Sequence, residues 1–230
     1  MKQIINEKQI KRNKRIGNIT SIVGIAILAA GLILNINPTP TRTLISFGAL
    51  VIGFIIAQIS TYFVTKFGRS PRFDEIIADN LSKLNNKYTL FVYSSPVPIL
   101  LTGPSGLWIP ISVSASGEIY YDKKWKQSGG NFLLKIFGQE NLGRPETEVH
   151  TSEKQIREFL SDHFEEDQMP PINSILVSMH PKATLGDVEN APTPIVEVDA
   201  LRRTIRRIDR KSEQDLPQNE LAKINELLGT

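Results

Sequence analysis

Two stretches of the chain carry almost no polar side chain. Ile16–Leu34 reads IGNITSIVGIAILAAGLIL, 19 residues with only Asn18, Thr20 and Ser21 polar. At about 1.5 Å rise per residue, a helix of that length reaches roughly 29 Å, the hydrocarbon thickness of a bilayer. Leu44–Val64, LISFGALVIGFIIAQISTYFV, is of similar length and has Gln58 as its only amide. Neither stretch has a polar stripe, so both faces of each helix must meet lipid or another helix. Between them, NINPTPTR (Asn35–Arg42) holds two prolines that stop the first helix and make a tight connection. The pattern predicts a transmembrane helical hairpin over 16–65. Small residues at helical spacing, Ala26/Ala30 and Ala49/Gly53, offer a close contact between its helices. A cleaved signal peptide fits poorly, because the first apolar run is too long and no small-x-small site precedes a polar start.

Beyond Lys66 the pattern changes to that of a soluble α/β domain over 66–211. Phe73, Ile76, Ile77, Leu81 and Leu84 fall at helical spacing behind Ser70-Pro71. Short β-like runs follow at Tyr88–Tyr93, Val97–Thr102, Leu107–Val113 and Glu118–Asp122, separated by Ser-, Gly- and Pro-rich turns. Gly129–Arg144 reads as irregular around the apolar FLLKIF. Ser152-Glu153 opens a helix with Ile156, Phe159, Leu160 and Phe164 on one face, and Ile172–Met179 has the length of a buried strand. Ile195–Val198 is short and β-branched, and Asp199 is placed to cap a helix over Ala200–Arg210. The tail, 212–230, contains an amphipathic segment at Asn219–Leu228 that reads as a short helix or a frayed end. This succession predicts a mixed sheet with helices on its faces.

Charge fixes an orientation. The arm 1–15 carries Lys2, Lys8, Lys11, Arg12, Lys14 and Arg15 against Glu7, a net of +5, while the connection between the helices has Arg42 alone. Lys66, Arg69 and Arg72 follow the second helix before any acid. Positive-inside counting places both termini and the soluble domain in the cytoplasm of a multi-pass membrane protein. Removing the arm and Arg42 from the total of +3 leaves −3 for the remainder, so the soluble domain has no global field for nucleic acid. The chain has no cysteine, which excludes a disulfide framework, a cysteine nucleophile and a zinc knuckle.

The stretch from Phe73 to about Ile208 resembles the nuclease-related domain family (NERD), of the restriction-endonuclease-like superfamily. The resemblance is carried by Asp74-Glu75 opening the first helix and by the strand–turn–strand VPILLTGPSGLWIPISV. Gly117-Glu118-Ile119-Tyr120-Tyr121-Asp122, Trp125 and the order of the later helices and strands extend it. It implies a restriction-endonuclease-like mixed sheet flanked by helices. It also implies a metal site formed by an aspartate on the strand before the Gly-Pro turn and a Glu-x-Lys on the strand after it. Two such carboxylates hold a divalent ion that activates water, and the lysine supports the transition state. In this chain those places fall on Pro98, Ile111 and Val113, which neither ligate a metal nor move protons. No cofactor is expected.

Three acids are candidates for a relocated site: Glu75 on the first helix, and Glu118 and Asp122 around the later strand, with Lys123 or Lys124 as the cation. Each also reads as an ordinary surface charge, Glu75 complementing a helix dipole. His150, His163 and His180 stand apart in sequence. The chain lacks a nucleophile elbow, and GPSG lacks the Gly-Lys-Ser/Thr ending of a phosphate loop. Ser112, Ser114 and Ser116 read as strand alternation. One charge cluster remains in LRRTIRRIDRK, Leu201–Lys211. Leu201, Ile205 and Ile208 share one face, and Arg202, Arg203, Arg206, Arg207 and Arg210 occupy the other. That face suits anionic lipid head groups and, less well, nucleic-acid phosphates; alternatively it pairs locally with Glu197, Asp199 and Asp209. The sequence thus describes a membrane-anchored, catalytically inactive nuclease-like domain acting as a binding or scaffolding module, its protein partner unidentified. A metal-dependent nuclease with relocated acids and a membrane-surface interaction protein are the alternatives.

Overall fold

A computed structural model describes residues 1–130, 140–212 and 216–229. They form two compact units: Glu7–Arg72, and Met1–Asn6 together with the chain from Phe73 onward. The apolar run at 132–137 lies outside the described residues.

The first unit is a pair of helices, α1 (Glu7–Leu34) and α2 (Pro40–Phe63), the latter continued by a π-helical turn at Val64–Gly68. Both are long and apolar enough to cross a membrane. Each starts earlier than the apolar pattern suggests. Lys, Arg and Gln are good helix formers, so hydrophobicity marks the stretch suited to lipid and not the helix end. Pro40 sits at the first turn of α2, where its missing N–H costs nothing, and the Thr39 hydroxyl accepts from the Arg42 amide at 3.3 Å.

The helices meet along a seam of small residues spaced seven apart. Gly17, Gly24 and Gly31 are buried on α1, and Ser46, Gly53 and Ser60 on α2. A Cβ at Gly53 would stand 2.7 Å from Leu28, and one at Gly31 would stand 3.1 Å from the Ala49 Cβ. The Ser46 hydroxyl donates to the Gly31 carbonyl at 2.6 Å, and Ser60 to the Gly17 carbonyl at 3.1 Å, so both seam hydroxyls are satisfied inside the pair. Ala49 and Gly53 belong to this contact, but Ala26 and Ala30 are exposed, which corrects the expectation for α1. Its closest approaches need no side chain at all, and glycine supplies that. The outward faces are apolar, with Ile22 at 70% and Leu44 at 73% exposure.

The second unit is built on a six-stranded sheet in the order β1-β2-β3-β4-β7-β9. Its strands are β1 (Lys2–Ile5), β2 (Thr89–Val92), β3 (Ile99–Gly103), β4 (Gly106–Val113), β7 (Ile172–Ser178) and β9 (Ile195–Glu197). β2, β3 and β4 are antiparallel neighbours, whereas β1 pairs parallel with β2, β7 with β4 and β9 with β7. A smaller sheet in the order β6-β5-β8 comprises β5 (Gly117–Asp122), β6 (Lys124–Ser128) and β8 (Ala183–Leu185). The helices are α3 (Phe73–Leu81), α4 (Pro145–Ser161), α5 (Val198–Asp209) and α6 (Gln218–Leu228).

Both faces of the large sheet are buried. On one, Leu107, Ile109, Ile111 and Val113 of β4 join Ile156 and Leu160 of α4 and Ile224 and Leu228 of α6 in one cluster. Strand alternation sends Leu90, Val92, Leu101, Trp108, Ile175 and Val177 to the other face, and all are buried. Ile77 and Leu81 of α3 and Leu201 and Ile205 of α5 are fully buried as well. The mixed sheet with flanking helices is the architecture the pattern implied.

Several elements differ from expectation. Lys2–Ile5 is an edge strand, not part of a free arm, with Lys2 opposite Thr89 and Ile5 opposite Val92. Four residues carry no readable period, and their partner lies far along the chain. α4 begins at Pro145, ahead of Ser152, because Pro-Glu-Thr-Glu suits a first helical turn while offering few apolar residues to count. Asp199 is inside the first turn of α5; Glu197 holds the cap position and makes no side-chain cap bond. The tail segment is a packed helix whose Asn225 accepts a hydrogen bond from the buried Thr102 hydroxyl at 2.6 Å.

Candidate functional site

The turn between β3 and β4 is shaped by its two glycines. A Cβ at Gly103 would lie 2.6 Å from the Tyr88 ring, so the ring rests directly on the strand. Gly106 has φ +120°, and a side chain there would run into the Pro171 carbonyl, which instead accepts from the Leu107 amide at 2.8 Å. Around this turn, the three positions at which the resemblance implied catalytic residues carry no ionisable side chain. Pro98 is exposed ahead of β3, and Ile111 and Val113 point into the apolar cluster against α4.

The three candidate acids occupy different elements. Glu75 is exposed in the first turn of α3. Glu118 and Asp122 lie on β5, in the small sheet, and both are exposed. Asp122 accepts from the Lys126 ammonium at 2.6 Å, a hydrogen bond that raises the lysine above its usual pKa. Glu118 lies over Gly186, with Oε1 2.7 Å from where a Cβ would stand. Lys123 makes the tight turn into β6 at φ +57°, and Lys124 opens that strand. Among the described residues, no three His, Asp or Glu side chains converge in a way that could hold a metal ion.

The histidines are likewise dispersed. His150 is exposed on α4, and His163 packs edge-on against Phe159 at 5.9 Å. His180 does find a partner that its sequence neighbours did not reveal: its Nε2 is 3.3 Å from Glu140 Oε1. The Ser116 hydroxyl donates to the other oxygen of Glu140 at 2.5 Å. His180 Nδ1 accepts from the Lys182 amide at 3.1 Å, so both ring nitrogens are engaged and neither faces the serine. This is a hydrogen-bonded tie, not a nucleophile–base pair.

The arginines of α5 are brought together. Leu201, Thr204 and Ile205 are buried, which turns Arg203, Arg206, Arg207 and Arg210 to solvent, with Arg202 half-buried at the margin. Arg203, Arg206, Arg207, Arg210 and Lys211 line a depression of about 410 Å³. The expected local pairing is absent: among the described residues no acid forms an ion pair with these side chains. Asp209, the acid within the run, faces inward instead. Its Oδ2 accepts from the Tyr88 hydroxyl, and its Oδ1 from the Ser105 hydroxyl and from the Trp108 indole N–H at 3.2 Å. Three neutral donors from β4, the turn before it and the chain entering β2 thus hold the carboxylate inside the run away from the arginine face. The sequence places the arginines on a common side; it gives no sign that Asp209 is committed elsewhere, because its donors lie about a hundred residues away. Set against known proteins, the chain matches no family model, no curated sequence and no solved structure.

Proposed function

We propose that the chain is a membrane-anchored α/β module that serves on the cytoplasmic face as a binding or scaffolding domain and does not cleave nucleic acid. The observation that carries the anchoring is the pair of helices long and apolar enough to cross a membrane, and the pairing of β1 with β2 bears on the number of crossings. β1 precedes the two apolar helices and β2 follows them, yet both belong to one sheet. The chain must therefore return to the side it left, which two crossings accomplish and one does not. The charges supply the direction. Lys8, Lys11, Arg12, Lys14 and Arg15 are exposed on the first turns of α1, and the connection opposite has only Arg42. Beyond α2, the Lys66 ammonium is 5.5 Å from the Tyr62 ring centre and 5.9 Å from that of Phe67, the aromatic–cation grouping suited to a membrane interface.

A nuclease-related ancestry is consistent with one helix, three antiparallel neighbouring strands, a second helix and a parallel fourth strand. The aliphatic residues at Ile111 and Val113 favour a domain that kept such a scaffold and does without its metal chemistry. Topology tests the anchoring directly, since the chain has no cysteine of its own. In intact cells, Thr39→Cys is labelled by an impermeant thiol reagent, and Ser212→Cys is labelled only after permeabilisation. Labelling of Ser212→Cys in intact cells with protection of Thr39→Cys would reverse the orientation, and equal labelling of both would remove the hairpin from the membrane.

A further inference from the structure

The arginine face has features that an ordinary solvated helix face lacks. Its cations recur at i, i+3, i+4, i+7 and i+8 from Arg203, so neighbours one turn apart stand about 5–6 Å from each other. Like charges at that spacing repel, and no acid among the described residues forms an ion pair with them. Asp209, the acid within the run, is held by Tyr88, Ser105 and Trp108 on the sheet side, and Asp199, one turn ahead of Arg203, forms no ion pair with it. The side chains also line an open depression of about 410 Å³, with no aromatic ring among the described lining residues. Four of the five cations are guanidinium groups, planar forks that match phosphate oxygens two at a time.

We propose that this depression is a binding site for a compact ligand carrying two or more closely spaced phosphate groups. Arg203 with Arg207, and Arg206 with Arg210, form two pairs each one helical turn apart, and adjacent phosphates are taken by adjacent pairs. Without a ring on which to stack a base, recognition rests on phosphate charge and spacing, not on a nucleobase. The run of cations covers only about two helical turns, which suits a compact polyanion better than the backbone of a long nucleic acid. A soluble polyphosphate and a multiply phosphorylated lipid head group both present this chemistry. The site does not depend on which side of the membrane the domain occupies.

The test uses the full chain in neutral detergent, with tripolyphosphate as the probe and inorganic phosphate as the reference, measured by calorimetry. Tripolyphosphate is expected to bind at least about tenfold more tightly than phosphate and to weaken steeply as salt rises. The quadruple change Arg203→Gln, Arg206→Gln, Arg207→Gln and Arg210→Gln abolishes the binding. The corresponding quadruple lysine variant keeps the charge and loses at least a few-fold in affinity if the guanidinium forks matter. Unchanged tryptophan emission verifies that both variants are folded; should the glutamine variant unfold, the lysine variant carries the test. Nanodiscs of neutral lipid, with and without a phosphoinositide bisphosphate, separate the sources. Loss of tripolyphosphate binding in the phosphoinositide discs identifies the lipid head group, and unchanged binding identifies a soluble ligand. Equal affinity for phosphate and tripolyphosphate overturns the proposal. So does full binding by the glutamine variant, or tighter binding of a single-stranded oligonucleotide than of tripolyphosphate.

Discussion

Replacing Asp209 with alanine removes the acceptor for three donors at once, and its cost follows from where they sit. Trp108 is 1% exposed, Ser105 4% and Tyr88 5%, so none of the three residues is open to solvent. Hydrogen bonds to a charged group contribute about 1.5–3 kcal/mol each, and a buried donor left without a partner costs about 1–3 kcal/mol. The terms do not add fully, because one water can enter the space left by the carboxylate and Asp209 itself is half-buried. The expected loss is about 3 kcal/mol, a large share of the roughly 5–15 kcal/mol that holds a domain together. Asp209→Asn keeps an oxygen for Ser105 and Trp108 and offers its amide N–H to a rotated Tyr88 hydroxyl, so it costs about 1 kcal/mol. Urea unfolding of the full chain in detergent, followed by tryptophan emission, measures both. Trp125→Phe makes Trp108 the only indole, and it removes no hydrogen bond among the described residues, where the Trp125 N–H has no partner. If alanine and asparagine both leave stability within about 0.5 kcal/mol of the parent, the carboxylate does not hold α5 and the reasoning fails.

Three further outcomes are expected. The pair Gly31→Cys and Ala49→Cys should oxidise to an intramolecular disulfide, since the two Cβ positions are 3.1 Å apart and a further separation of a few tenths of an ångström brings them to disulfide range; cross-linked dimers in its place would mean that the helices pack between chains. Ile224→Ala should destabilise the sheet-bearing unit by about 2–5 kcal/mol in the same unfolding assay, because Ile224 is fully buried in the core cluster; a change under about 0.5 kcal/mol would mean that α6 is undocked. The purified full chain should not degrade DNA or RNA when Mg²⁺ is added, and Mg²⁺-dependent cleavage lost in Glu75→Gln or Asp122→Asn would restore the relocated-site reading.

What the sequence made legible was local. The two apolar runs, the strands of 88–113 and the buried strand at Ile172 each announce themselves within a few residues of their own composition. What it concealed depends on partners distant in the chain. Lys2–Ile5 has too few residues to show a period, and its pairing with β2 becomes apparent only when both strands are in place. β6, with two lysines and a glutamine in five residues, shows no strand pattern of its own until β5 is laid against it. The hairpin seam was partly visible: Gly53 drew attention, but glycines seven apart on α1 do not stand out in a stretch already rich in small residues. In the candidate site, the arginine stripe follows from helical spacing alone. The inward turn of Asp209 does not, since its neighbours in sequence are the arginines and its partners in space are Tyr88, Ser105 and Trp108.

The edge strand β1 also has a consequence for the order in which the molecule can be made. Lys2–Ile5 leaves the ribosome before either apolar helix, but its partner at Thr89–Val92 is synthesised only after both. At about 5–20 residues per second, the strand waits on the order of 10 s with its backbone unpaired. It cannot nucleate the sheet, and the parallel pairing it finally makes closes one of the longest loops in the chain, a slow kind of contact to form. The pairing of β1 is thus a late event, open only to chains whose hairpin has already turned back. A chain in which only the first helix has formed keeps that strand edge unpaired, an open template for pairing with another chain.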